Sequence, residues 1–153
     1  MYAWRQREHV RRWWSGVDTL DDTERKYLPR IEGDEPTEVY LIVLEERPVG
    51  LIQTYLVEDD DDPWPIELEP GTAGVDLFIG EEELVGRGLG PRIIGAFVRD
   101  VVFVKPATKA CIADPDVRNE TSIRAFEKAG FVRVGVFEVP GEPAPQQLLR
   151  IER

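Results

Sequence analysis

Gly86, Gly88 and Gly90 fall within five consecutive residues of the stretch VGRGLG, directly ahead of a run with helical periodicity. Glycines at alternate positions let the backbone curl its N–H groups around an anion with no Cβ in the way. Where such a turn opens a helix, the first amides have no intrahelical acceptor, and the helix dipole favours negative charge. Pro91 in the first turn forfeits only a donor that the helix would not use, and Arg87 adds a cation at the rim. These residues describe a site for a phosphate or diphosphate. Two common phosphate loops are excluded. A P-loop needs Lys and Ser/Thr after its last glycine, where GPR stands here, and a dinucleotide fingerprint reads G-x-G-x-x-G, not G-x-G-x-G. A glycine-rich turn needed only to enter the helix remains the alternative.

Two carboxylates are the other candidates. GVDLFIG alternates Val75, Leu77 and Ile79 on one face with Asp76 and Phe78 on the other. An aspartate inside such an apolar strand is costly unless partnered, so Asp76 is either a satisfied buried acid or a chemical group. Asp114 closes TKACIAD just before Pro115, as a turn or cap residue or again as a chemical group. Other chemistries lack their parts. One cysteine, Cys111, and one histidine, His9, exclude a disulfide framework and a cysteine-based metal site and leave Ser-His-Asp or Cys-His catalysis little support. Cys111 lies in an apolar run and is expected to be buried and inert. His9 lies in the basic N-terminal segment and is expected to face solvent. No metal site is expected.

The chain of 153 residues suits one domain with one core. No segment approaches the roughly 20 apolar residues that span a bilayer, and MYAWRQREHVRRWW lacks the apolar centre of a secretion signal, so a cytoplasmic protein is the expectation. A net charge of −11 argues against nucleic acid or an anionic membrane as partner. It suits a cationic one, or a solvated surface. The acids are clumped, in EDDDD (Glu58 to Asp62) and EEE (Glu81 to Glu83). The first run is followed by PWP, so Trp64 between two prolines offers a stiff wall for a cation-bearing ligand. A plain solvated loop is the other reading.

These groups need elements to hold them. Tyr2 to Trp14 reads as a helix, and a second short one follows near Thr23 to Leu28, stopped by Pro29. EVYLIVLEE and VGLIQTYLVE read as strands joined at Arg47–Pro48, and GTAGVDLFIG follows the acidic loop. GPRIIGAFVRDVVFV has apolar residues at 93, 94, 97, 98, 101 and 102, the rhythm of a helix lying on a sheet. TKACIAD is a short strand. NETSIRAFEKAG is a helix with Asn119 as N-cap and Gly130 just past its end. FVRVGVFEV and PQQLLRIE are two more strands, antiparallel at the far edge. The fold class is α/β (α+β), a mixed and mostly antiparallel sheet with a central parallel βαβ unit and flanking helices.

VGRGLG resembles the diphosphate loop of the GCN5-related N-acetyltransferases (GNAT), which hold coenzyme A. Val85 departs from the usual Gln or Arg at the loop's first position, which removes a side-chain contact but no backbone donor. NETSIRAFEKAGF resembles the segment that closes the coenzyme site in that family. Within it, the chain is most similar to the aminoglycoside 6′-N-acetyltransferases, through HVRRWW, PVGLIQTYLVE, EPGTAGVD, VGRGLG and ADPDVRNETSIRAFEKAGF. The resemblance implies a single GNAT domain over residues 1–153. Relatives carry one more strand and the rest of the first helix before MYAW, so the expectation is that the first strand is missing or that the recorded start codon is late.

What the resemblance implies for the site is specific. Acetyl-CoA is the cosubstrate, bound by Phe78, Ile79, Val85, Gly86, Arg87, Gly88, Leu89, Gly90, Asn119 and Phe126, with no metal. Phe126 stands where many relatives have a tyrosine that protonates the departing thiolate, a proton phenylalanine cannot give. Strands that diverge beyond the βαβ unit leave a slot for the pantetheine arm, with backbone N–H groups near Phe78 and Ile79 open to the thioester carbonyl. Asp76 and Asp114 face a cationic aminoglycoside, Asp76 as base or relay for the amine proton and Asp114 as an anchor with base character. Trp14, Tyr55, Asp61 and Trp64 are candidates for the outer wall, although Trp14 and Tyr55 also read as core aromatics. Attack is direct, in a ternary complex. The alternatives are a relative acetylating another small amine or hydroxylamine, such as a siderophore precursor, and a non-catalytic module that sequesters its ligand. Monomer and homodimer both stay open.

Overall fold

The computed structural model describes residues 1–14, 16, 19–59 and 64–153. Its helices are α1 (Tyr2–Arg5), α2 (Glu8–Arg11), α3 (Leu20–Glu32), α4 (Leu89–Phe97) and α5 (Glu120–Lys128). Its strands are β1 (Glu38–Leu44), β2 (Arg47–Leu56), β3 (Thr72–Ile79), β4 (Ala110–Ala113), β5 (Val132–Phe137) and β6 (Gln146–Glu152), in the sheet order β1-β2-β3-β4-β6-β5. Every neighbouring pair is antiparallel except β3 and β4, which run parallel with α4 as their crossover. This is the mixed sheet expected from the sequence. Among the described residues no helix is long and apolar enough to cross a membrane.

Three local expectations need correction. The segment from Tyr2 to Trp14 is two four-residue helices rather than one. Arg7 between them is extended, and its guanidinium donates to the Gly80 carbonyl (2.6 Å) and to Glu81 (2.8 Å) at the end of β3. The second helix is longer than Thr23 to Leu28. Thr19 and Asp22 close a capping box at its start, and Pro29 lies inside it. A proline forfeits one helical bond. Here less than a turn follows, and the Pro29 carbonyl still accepts from Gly33 and Asp34. The hairpin turn is Glu45–Glu46, with φ of 49° and 65°, so Arg47 and Pro48 already belong to β2. Pro48 falls where the β1–β2 register shifts, between Ile42 and Val43, a position that tolerates its missing donor.

The alternation along β3 divides the molecule into two apolar layers. Val75 joins Ile94, Phe97, Ile123 and Phe126 beneath α4 and α5. Phe78 turns to the other face and meets Trp4, Val10, Tyr27 and Leu51. Each such side chain contributes about 1.5–3 kcal/mol on burial. Cys111 is buried, and burial pushes its thiol well above the ordinary range, which makes it inert as expected.

The parallel ladder is short. Thr72, Ala73 and Gly74 pair with Ala110, Cys111 and Ile112, after which β4 ends at Ala113 while β3 runs on to Ile79. From Asp76 onward, β3 is bonded on its β2 side only. The gap that opens there is where the chemistry-bearing residues collect.

Candidate active site

Gly88 is the N-cap of α4, with φ 76° and ψ 11°, and among the described residues no side chain caps the helix. Gly86 has the same φ of 76°. A Cβ at either position would meet nothing within 4 Å, so glycine is required there by the left-handed backbone and the space in front of the loop is open. Gly90 serves a different purpose. Its Cβ would lie 3.2 Å from that of Ala125, so its absence lets α4 and α5 approach closely. Among the described residues no turn or loop carbonyl accepts a bond from amides 86 to 90. The result is an uncapped cluster of donors at a helix N-terminus, suited to an anion.

This loop forms one wall of a groove of about 630 Å³. Val85, Gly86, Gly88 and Gly90 line it, with Arg124 and Lys128 on α5 as cations and Asn119 also in its lining. The side chains of Arg87, which is exposed, and Leu89 are not part of that lining. Asn119 caps α5 as expected, its Oδ1 accepting from the Ser122 amide at 3.2 Å.

Across the groove lies the open edge of β3. The Gly80 amide donates to the Val49 carbonyl at 2.7 Å. Strand alternation therefore turns the Phe78 amide toward β2 and the Leu77 and Ile79 amides into the gap. Phe78 contributes its ring to the groove instead, packed edge-on against Trp14 with centroids 4.9 Å apart. His9 does not face solvent, contrary to its position in a basic segment. It is half-buried, lines the groove, and its Nε2–H donates to the Ile79 carbonyl at 3.0 Å. The α1–α2 segment thus fastens the free end of β3 through His9 on Ile79, Arg7 on Gly80 and Trp4 on Glu81. The bonds from Arg7, and then Trp4, hold the Glu81 carboxyl below the ordinary carboxylate range.

A second cavity, of about 420 Å³, continues from the groove past Trp13, Trp14, Leu77, Arg118 and Ser122, which line both. Asp76 and Asp114 stand in it together. Each lies two residues beyond the last parallel rung, Gly74↔Ile112, so the diverging strands hold the two carboxylates on facing sides of the gap. Asp76 is fixed by a chain of bonds. Arg30 Nη1 donates to Gln53 Oε1 (3.2 Å), and Gln53 Nε2 donates to Asp76 Oδ2 (2.9 Å). Because Gln53 is buried and both ends of its amide are engaged, it has one orientation and holds one oxygen of Asp76. Lys26 projects into the same cavity. Burial, reinforced by repulsion from Arg30 and Arg5, lowers its proton affinity, while Asp76 pulls the other way.

Phe126, buried against Phe131, lines this cavity rather than the groove. The remaining charges of the wall are Arg12, Asp116, Arg118 and Glu142. Asp116 accepts from Arg118 Nε at 2.9 Å, and that bond holds its carboxyl below the ordinary range. Trp14 lines both spaces. Tyr55 does not line either; its ring lies over Gly74, where a Cβ would come within 2.4 Å of it. Trp64 packs against Phe137, with centroids 6.2 Å apart, and is likewise outside the lining. Asp61 lies outside the described residues.

Gln53, Lys26, Trp13, Arg118 and His9 escaped the sequence reading. Gln53 carried a usable signal, a polar residue inside the apolar run GLIQTYL, the same anomaly that singled out Asp76. Lys26 and Arg118 sit among other charges and carry none.

Comparison with known proteins finds relatives over most of the chain. A family model described as an acetyltransferase (GNAT) domain matches residues 1–139. The aminoglycoside N(6′)-acetyltransferase type 1 of Klebsiella pneumoniae is 34% identical over 148 residues, 94% of this chain and 73% of that protein. The crystal structure of aminoglycoside acetyltransferase AAC(6′)-Ib in complex with coenzyme A superposes with a TM-score of 0.89, at 32% identity, over 99% of this chain and 87% of that one. The same enzyme with coenzyme A and kanamycin gives a TM-score of 0.88 over the same shares of both chains.

Proposed function

The chain belongs to the GNAT acetyltransferase family, and on that premise we propose that it transfers an acetyl group from acetyl-CoA to the 6′-amine of an aminoglycoside. The observation that carries this reading is the gap between β3 and β4. It joins an anion-binding groove to a cavity whose two central carboxylates stand on facing strands.

The groove fits coenzyme A on its own geometry, since the space before Gly86 and Gly88 is open and, among the described residues, no turn or loop carbonyl accepts from the amides there. Those amides, with Arg124 and Lys128, hold the diphosphate. The Ile79 and Leu77 amides face the gap and are the donors for the thioester carbonyl as it gains charge. Acetyl-CoA supplies an activated acyl group, and the residues of the chain do the rest.

An aminoglycoside amine arrives protonated and must lose a proton before it can attack. Asp76 is the acceptor, held in place through Oδ2 by Gln53. Asp114 attracts the ring ammonium groups from the opposite strand. A carboxylate that attracts a cation also raises the amine pKa, so dividing the two tasks between two aspartates relieves the conflict. Phe126 provides no acid, and the departing thiolate takes its proton from water or leaves without one. Acetylation removes a positive charge that aminoglycosides use to bind ribosomal RNA, so the reaction confers resistance.

A panel assay of coenzyme A release tests this reading. Kanamycin is expected to support steady turnover, with the product acetylated on the 6′ nitrogen, and spermidine is not. Turnover with polyamines only would move the substrate class. Tight kanamycin binding without thiol release would make the protein a sequestering module.

A further inference from the structure

We propose that Lys26 is an internal acyl acceptor: when no external amine occupies the cavity, the chain acetylates its own Lys26 from acetyl-CoA. The inference rests on the transferase reading above and deepens it. Lys26 is on α3, one turn before Arg30, and lines the acceptor cavity together with Asp76 and Gln53. It is a primary amine lining the space that admits primary amines, in the same cavity as the carboxylate assigned to take their proton. Its surroundings also favour the reactive form, because burial and the neighbouring Arg30 and Arg5 disfavour the ammonium ion.

The other three lysines of the chain lack this setting. Lys105 is ion-paired with Glu38 and Lys109 is exposed, with Nζ donating to the Pro70 carbonyl at 3.3 Å. Lys128 lines the coenzyme groove, away from Asp76. In the proposed step the nitrogen lone pair of Lys26 forms a bond to the acetyl carbon. The C–S bond breaks with its electrons remaining on sulfur. The proton lost from nitrogen goes to Asp76 and from there to water, giving an amide and the coenzyme A thiolate, which leaves as such or takes a proton from water. Acetylation removes the Lys26 charge and adds bulk to a cavity of about 420 Å³, so it also regulates access for the next acceptor.

The test incubates the full chain with acetyl-CoA and no amine, follows intact mass, and maps the modified peptide. A parallel sample receives kanamycin. The expected result is a gain of one acetyl group, located at Lys26, formed on the order of a hundredfold faster than at Lys109, the low end of what a positioned proton acceptor contributes. Kanamycin added first is expected to suppress it, and Lys26→Arg to abolish it. The wild-type peptide map decides the matter even if that variant folds poorly. No mass gain, or acetylation of Lys26 no faster than of Lys109, overturns the proposal. Kanamycin turnover with an unmodified Lys26 overturns this inference alone; no turnover and no acetylation overturn the transferase reading as well.

Discussion

Asp76→Asn is expected to lower kcat for kanamycin acetylation by about 10²–10⁴-fold, the contribution of a positioned proton acceptor, while the KM for acetyl-CoA stays within about twofold. The substitution is nearly isosteric and leaves the bond network intact. Gln53 is held by Arg30 with its NH₂ toward position 76, and an asparagine oxygen accepts that bond as the aspartate does. What disappears is proton affinity. Packing is not disturbed, since Asp76 contributes no apolar area to either core layer. Asp114→Asn is expected to act differently, raising the KM for the aminoglycoside more than it lowers kcat, because its task is attraction. Steady-state rates of thiol release at varied concentrations of each substrate measure both. Full rates in both variants would remove these carboxylates from the mechanism.

Gly88→Val is expected to raise the KM for acetyl-CoA by about tenfold to a hundredfold, with a smaller effect on kcat. Gly88 has φ 76°, and a β-branched residue held there costs about 1–3 kcal/mol. The chain can relieve that strain only by rotating the peptides that form the loop. Each 1.4 kcal/mol of lost binding is a factor of ten. The space around the glycine is open, so the effect comes through the direction of the amides and the bulk placed before them. Thermal unfolding run alongside separates this from loss of fold, since α4 retains its packing against Ala125 and the apolar layer beneath it. An unchanged KM would mean that the loop only turns the chain.

Much of the fold was legible because its signals are local. The apolar rhythm from Ile93 onward gave α4, Asn119 and Gly130 bracketed α5, and period-two alternation put Asp76 and Phe78 on one face of β3. The glycine loop was legible for the same reason, since left-handed turns and close helix contacts both demand glycine. Where reading failed, the deciding contact lies far along the chain. The first helix breaks where Arg7 reaches Gly80 and Glu81, more than seventy positions away. His9 is drawn inward by a carbonyl on β3. Pro29 does not end its helix because Thr23 and Tyr27 are already buried and the turn beyond is anchored by the proline's own carbonyl. Tyr55 and Trp64 lie outside the lining of both spaces; aromatic side chains fill cores and sites alike, and composition does not distinguish the two. Gln53 is the instructive omission. A polar residue in an apolar strand is as strong a signal on β2 as on β3, and the ladder sets Gln53 directly opposite Asp76.

The most direct test is a crystal structure with coenzyme A and kanamycin bound. Predicted are diphosphate oxygens within hydrogen-bonding distance of the amides at Gly86 to Gly90, and the 6′ nitrogen between the coenzyme sulfur and the carboxylate of Asp76. A diphosphate bound anywhere else, or a 6′ nitrogen turned away from both aspartates, would contradict the account.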